Sequence, residues 1–391
     1  MMTHRIFLVL LTLVASLLLS VPAFADDDNP GAAVFAMTNA DDGNEVLMYN
    51  RADNGALTLL DAFATGGMGM TTEPDDALGS QNPLIVSPDG KWLLAVNAGS
   101  NTIATFKIKK KKLKLVDVVP SGGDFPASLA MRGNLVYVLN AGGDGNITGF
   151  TMRPNGRLKA IPGSTRSLNA GGANPPFFLV SPAQVGFSPA GNWLVVTIKG
   201  MHPVHQIQLF AIDGSGVPGA QPVTTTAANT LSFGFVFDAA GHMLVAEPFG
   251  NQFTGTPAPG LSAASSYMVA PNGTLSLIST SVANGQTATC WIALTPDGRF
   301  AYTTNNASGT LSAYSVGSDG SLTLINGAVA STGHNPVDLA ITPDGRFLYN
   351  VNAGDGTVTM FQIDQGSGAL IALGAVGGLP NNGSAVGIVA R

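Results

Sequence analysis

Ser87-Pro88-Asp89-Gly90-Lys91-Trp92-Leu93 is a phrase that this chain repeats. It returns as Ser188-Pro189-Ala190-Gly191-Asn192-Trp193-Leu194, as Thr295-Pro296-Asp297-Gly298-Arg299-Phe300 and as Thr342-Pro343-Asp344-Gly345-Arg346-Phe347-Leu348. Weaker copies stand between them, Met131-Arg132-Gly133-Asn134-Leu135 and Asp238-Ala239-Ala240-Gly241-His242-Met243. Steps of about 43 to 58 residues suit propeller blades and are too long for leucine-rich repeats. Around the first copy, Pro83-Leu84-Ile85-Val86 precedes the turn and Trp92-Leu93-Leu94-Ala95-Val96 follows it. A polar turn from Asn97 to Asn101, an alternating run from Thr102 to Ile108 and the run Leu113-Lys114-Leu115-Val116 complete the unit. Asp-Gly between apolar runs signals a hairpin, and four antiparallel strands per unit make a propeller blade.

Six such units fit between about residue 82 and residue 373. The N-terminal piece supplies three more expected strands, Val34–Thr38, Val46–Tyr49 and Leu57–Ala62. Ala385-Val386-Gly387-Ile388-Val389-Ala390 reads as an innermost strand without a blade of its own. Paired with the N-terminal strands it completes a seventh blade and removes the exposed sheet edges. The expected fold is therefore an all-β, seven-bladed propeller, counted here with the N-terminal piece as blade 1. Composition agrees: 49 Gly and 24 Pro among 391 residues, with only 11% charged, mark frequent chain reversals and exclude a coiled coil. With 45% hydrophobic residues the chain is not a disordered acidic one. Eighteen basic against 24 acidic residues make a mildly acidic balance that does not argue for nucleic acid.

Residues 1–25 read as a secretory signal: His4 and Arg5, an apolar run from Ile6 to Leu19, then Ala23-Phe24-Ala25. Cleavage would leave residues 26–391 as one domain, periplasmic or secreted, with no membrane attachment and expected to be monomeric. Cys290 is the only cysteine, so no intramolecular disulfide forms.

Trp92 and Trp193 share a column with Leu135, Met243, Phe300 and Phe347. A position open to any large apolar residue reads as core between blades. Further on, Asn97, Asn140, Asn305 and Asn352 coincide after the second strand, where an Asn side chain ties down a turn and a ring of them could touch ligand. In an up-and-down blade the Asp-Gly turns lie on one face. The second-to-third turns and the crossings between blades lie on the other. This crossing face holds the long segments, Thr65–Asn82, Gly163–Pro182, Lys199–Gln206, Glu247–Ala264 and Val282–Cys290. Binding residues concentrate on scaffolded loops, so a site is expected there, at the mouth of the central channel.

The polar residues of that face are His202, His205, His334, Glu73, Glu247, Gln184, Asn251 and Gln286. Glu247 closes the apolar run Met243-Leu244-Val245-Ala246 beside a long loop, a setting that raises a carboxyl pKa and suits a general base. Paired with an amide or a basic residue, the same carboxylate is structural. His202 and His205 have an H-x-x-H spacing, but Pro203 interrupts it and no helix aligns the imidazoles, so no metal is expected. Lone Cys290 reads as a small buried residue, and Lys109–Lys112 as a solvated turn on the Asp-Gly face. No cofactor motif is present: Gly66-Gly67-Met68-Gly69-Met70 lacks the strand-then-helix setting of a phosphate loop.

The Ser-Pro-Asp-Gly phrase, the turn Asn97-Ala98-Gly99-Ser100-Asn101-Thr102 and the strand end Asp319-Gly320-Ser321-Leu322-Thr323-Leu324 resemble the lactonase-type seven-bladed propellers. That family includes bacterial 6-phosphogluconolactonases and fungal carboxy-cis,cis-muconate cyclases, and the resemblance spans about residues 33 to 390. It implies opening or closing of a lactone ring at the channel mouth, with His, Glu and Arg of the middle blades as acid-base groups and anion anchors. At the matching positions this chain has Ala183 beside Gln184 in blade 4 where the family has His. It has Phe233-Gly234 in blade 5 for Arg-His, and Asn306 in blade 6 for Arg. Glu247 stands two residues before the family's acid. Two functions follow. The chain is an exported lactonase-like hydrolase or cyclase, with Glu247 as base, His202 or His205 assisting, and Gln184, Asn251, Asn306, His334 and Gln286 binding a small lactone. Alternatively it is a non-catalytic propeller that holds a small ligand or a protein with the same loops, among them Phe177, Phe178, Phe249, Phe253, Met68 and Met70.

Overall fold

The repeated phrase forms the turn its residues dictate. Ser87 Oγ donates to Asp89 Oδ1 (2.6 Å) and accepts from Trp92 N (3.0 Å). Thr295 and Thr342 close the turns of blades 6 and 7 in the same way, onto Asp297 and Asp344. Gly90, at φ 70°, takes the left-handed position that other residues resist. Apolar runs on either side pair antiparallel, Leu84–Val86 with Trp92–Asn97 in blade 2.

The structure, a computed structural model, describes residues 31–72, 76–200, 205–228, 231–248 and 259–391, and the backbone alone of 250, 251, 256 and 257. Seven antiparallel sheets of four strands stand in a ring. In blade 3 the outer strand is split, Leu158–Ala160 and Arg166–Ser167 both pairing with Asn146–Met152. Ring closure follows the expected pattern. Ala33–Met37, Glu45–Arg51 and Leu57–Ala64 pair in order, and Ile388–Ala390 adds inside them with Phe35 opposite Val389.

Neighbouring blades are fastened by one recurrent contact. The large residue that begins each second strand lies against a glycine in the third-to-fourth turn of the following blade: Trp92 on Gly156, Leu135 on Gly216, Trp193 on Gly273, Phe300 on Gly368. Phe347 on Gly55 carries the series across the seam from blade 7 to blade 1. Two residues later, Tyr137, Tyr302 and Tyr349 donate to the carbonyls of Gly216, Gly368 and Gly55 at 2.6, 2.8 and 2.9 Å. Blade 5 departs from the expected column. Its member is His242, not Met243: the turn is one residue shorter, with Asp238 N bonded to His242 O where Ser87 N meets Trp92 O in blade 2. A Cβ on Gly320 would lie 2.6 Å from His242 Cγ, and the imidazole Nδ1 sits 2.6 Å from Asp238 Oδ2.

The asparagine column is structural. Asn97, Asn305 and Asn352 donate to Thr102, Thr310 and Thr357 hydroxyls across their turns, and Asn140 to Asn146. Asn305 also accepts from Thr289 Oγ1 (2.5 Å) and Asn284 Nδ2 (3.1 Å), which ties the turn to the crossing from blade 5. The four asparagines themselves are buried. Asn305→Ala is expected to cost on the order of 3 kcal/mol in urea denaturation, since several buried partners lose their bond. A loss below about 1 kcal/mol would mean that water replaces the amide.

Candidate functional site

Four of the seven inner strands that wall the channel start irregularly. Register shifts fall between Pro126 and Ser128, Pro182 and Gln184, Thr289 and Ile292, and Pro336 and Leu339. Such bulges re-aim side chains, and here three of them set a buried polar residue, Ser128, Gln184 or Asp338, in an otherwise apolar strand. Ser128 Oγ accepts from Val185 N in the next blade (3.2 Å). Gln184 spans to Phe235, donating to its carbonyl (3.0 Å) and accepting from its amide (2.6 Å). Asp338 accepts from the amides of Leu339, Ile388 and Asn82, in blades 7, 1 and 2.

The crossing-face mouth of the channel is filled by the chain itself. Gln81, on the way into blade 2, reaches across the ring to blade 6, where Nε2 donates to Ile292 O (2.9 Å) and Oε1 accepts from Ile292 N (3.1 Å). Its backbone N donates to Ala183 O (3.1 Å) and its carbonyl accepts from Ser128 Oγ (2.6 Å). Ser80 donates to Ala127 O (2.7 Å) and accepts at its carbonyl from the Trp291 indole (2.8 Å). Blades 3, 4 and 6 thus grip a dipeptide that stoppers the channel. Gly234 makes the room: a Cβ there would collide with Gln81 Oε1.

Next to the stopper lies a second unexpected group. Lys199, fully buried after the second strand of blade 4, donates to Gly79 O and stands 4.6 Å over the Phe233 ring. Burial pulls its pKa down to about 8, against the Asp76 carboxylate, which favours the ammonium. Burial likewise pushes the Cys290 thiol well above its ordinary range, so this thiol stays protonated and unreactive.

The channel is open at the other end. A cavity of about 490 Å³ lies on the Asp-Gly face, lined by Ile85, Val86, Met131, Phe187, Phe237 and Leu294, with Asn82 and Gln184 also on its wall. Among the described residues, no three His, Cys, Asp or Glu side chains converge as a metal site would require.

The sequence matches the family described as lactonase, 7-bladed beta-propeller, over residues 43–167 and 265–383. The chain belongs to the lactonase propeller family. No curated protein sequence matches it significantly. Similar solved structures include a protein from Lactobacillus plantarum, 19% identical, TM-score 0.70, covering 92% of this chain and 99% of that one. A candidate 6-phosphogluconolactonase from Bacteroides fragilis is 19% identical, TM-score 0.69, covering 95% and 99%. The periplasmic gluconolactonase PpgL of Pseudomonas aeruginosa is 17% identical, TM-score 0.64, covering 91% and 98%. At such identities the likeness is one of fold.

In this lactonase-family propeller the residues singled out from sequence are spread over separate networks. Glu247 ends its strand fully buried, Oε2 accepting from Ser281 Oγ (2.8 Å). Burial raises its pKa, and the hydroxyls of Ser265 and Ser281 oppose that without cancelling it. Gln286 Oε1 accepts from Thr310 (2.9 Å), and Asn306 Nδ2 donates to Pro336 O (3.3 Å). His334 is exposed and sits 3.1 Å from Asp355. His205 is buried, with its carbonyl accepting from Ala227 N. Gln184 alone among them lines the channel cavity. His202, Glu73, Phe249, Phe253 and the side chain of Asn251 lie outside the described residues. Sequence reasoning missed Gln81, Lys199 and Asp338; the signal for the first was Gly234, a small residue where the family has a large one.

Burial pushes the Asp338 carboxyl up to about 7, although three amides favour its anion. The folded chain then keeps a proton that the unfolded chain releases near pH 3.8. This group's contribution is therefore full below about pH 4 and fades as the pH rises through about 7, by at most about 1.4 kcal/mol per unit. Wild type is expected to gain stability relative to Asp338→Asn on going from about pH 8 to about pH 5, read by denaturant titration at both values. An equal difference at the two pH values would show that Asp338 does not titrate there.

Proposed function

We propose that this member of the lactonase family is a binding protein whose small ligand enters the channel from the Asp-Gly face, and that it does not open lactones at the opposite mouth. The observation that carries this reading is the Gln81 side chain, held across that mouth by both its amide atoms on Ile292. Glu247, the one acid near the family's position, is sealed from solvent. On the open side, a cavity of about 490 Å³ sets apolar side chains such as Phe187 and Phe237 beside the polar groups of Asn82, Gln184, Thr295 and Asp238, which suits a small molecule that has both an apolar body and hydrogen-bonding groups. Action in the periplasm or outside the cell belongs to the same proposal, supported by the apolar run Ile6–Leu19 and by Ala23-Phe24-Ala25.

A panel of neutral lactones, esters and aromatic alcohols tests it, by thermal shift for binding and by pH-stat for acid release. At least one compound is expected to raise the melting temperature of the wild type but not of Phe237→Asp, with no lactone consumed. Lactone turnover that disappears in Glu247→Gln would overturn the reading in favour of a hydrolase. No shift with any compound would remove the open cavity as the ligand site.

A further inference from the structure

Charge is distributed unevenly along this chain. Twelve of the 18 basic residues but three of the 24 acidic ones lie between residues 91 and 166, the stretch that makes most of blades 2 and 3. The rest carries six basic residues against 21 acidic. Blades 2 and 3 are therefore a cationic sector on an anionic ring.

Four of these twelve positive groups meet in a concave place. Where the third-to-fourth turn of blade 3 packs on the sheet of blade 2, Lys91, Lys107, Lys114 and Arg157 line a groove of about 750 Å³ with Trp92 on its wall. Trp92 is half-buried, and a second recess of about 370 Å³, bordered by Arg153 and Pro154, lies along it. The acidic residues at this groove are engaged. Asp117 accepts from Leu158 N (2.9 Å), and Asp89 pairs with Lys91 at 3.2 Å while the Lys91 side chain stays 67% exposed. Leu115 adds an aliphatic surface, 39% exposed. Lysines on an outer strand can serve only to deter edge pairing. That role does not account for Lys91 or Arg157, which come from turns, or for an indole between them.

We propose that this groove binds an acidic polysaccharide, a chain of uronate sugars. The carboxylates would meet Lys91, Lys114 and Arg157, where ammonium and guanidinium groups give charge-assisted hydrogen bonds. The apolar face of a sugar ring would rest on Trp92. A linear chain fits a groove better than a flat lipid surface does, and the sign of the sector attracts a polyanion from solution.

The test is calorimetric titration of the full chain with polygalacturonate, and with neutral dextran as control. Binding to polygalacturonate alone is expected, weakening at least about tenfold between roughly 20 and 200 mM salt. The double variant Lys114→Glu, Arg157→Glu is expected to lose at least about tenfold in affinity, each charge reversal removing an attraction and adding a repulsion. Trp92→Leu is expected to lose several-fold with the fold intact by circular dichroism, because Leu135 fills the same column in blade 3. Absence of binding at low salt, or binding untouched by the double charge reversal, would overturn the proposal. Equal binding of duplex DNA or phosphatidylglycerol vesicles, indifferent to Trp92→Leu, would do the same by reducing the groove to unselective attraction of anions.

Discussion

Trp291→Ala is expected to lower stability by about 3–5 kcal/mol and to release the stopper of the channel. Trp291 is fully buried and heads the largest of the buried side chains. Its indole N–H holds the Ser80 carbonyl at 2.8 Å, and its ring meets Phe233 edge-on at 5.0 Å. Truncation opens a cavity, breaks an aromatic contact and leaves a buried carbonyl without its donor, three losses that act in one direction. Trp291→Phe separates them. It keeps most of the volume and loses the donor, so about 1–2 kcal/mol is expected by chemical denaturation. If alanine costs less than about 1.5 kcal/mol, the closed mouth is looser than the hydrogen bonds indicate. The phenylalanine variant keeps the test valid should the alanine variant fail to fold.

The second large effect concerns the seam of the ring. Gly55→Ala is expected to cost about 2–5 kcal/mol, from two separable sources. Gly55 has φ +86°, a conformation that costs a side chain roughly 1–2 kcal/mol. An added Cβ would also collide with the Phe347 ring, which has Arg51 (5.7 Å) and Arg346 (4.9 Å) over it and is backed by the bond from Tyr349 to Gly55 O. Gly133 provides the control, since it has φ +59° and open space where its Cβ would be. Gly133→Ala should therefore cost only the conformational share, about 1–2 kcal/mol. Equal melting temperatures for the two variants would mean that the seam is not a tight contact and that ring closure rests on the inner C-terminal strand alone.

Much of the fold was legible because a propeller is written in short-range signals. Asp89-Gly90 between two apolar runs specifies its own hairpin, and the repetition of that unit specifies a ring. Even the closing strand was readable, because Ala385 to Ala390 has the pattern of an inner strand and no partners nearby in sequence. The misread of blade 5 has a local cause: the turn before His242 is one residue short, and an imidazole paired with Asp238 does the work of an aromatic ring. The candidate site was far less legible. Glu247 was found by its place at a strand end, and its burial agrees with a raised pKa, but Asn306, Gln286 and His334, expected to work with it, have bonding partners elsewhere.

The difference lies in the range of the interactions. By itself, the sequence determined how many blades form, how the ring closes and which residues make its turns, since these follow from patterns a few residues long. Only the tertiary structure decided which end of the channel is open. That outcome depends on Gln81 and Ser80 meeting Ile292 and Trp291, contacts between residues 211 apart in the chain. They come from a segment with no periodicity, and they depend on a glycine in blade 5 that makes room for a side chain from blade 2.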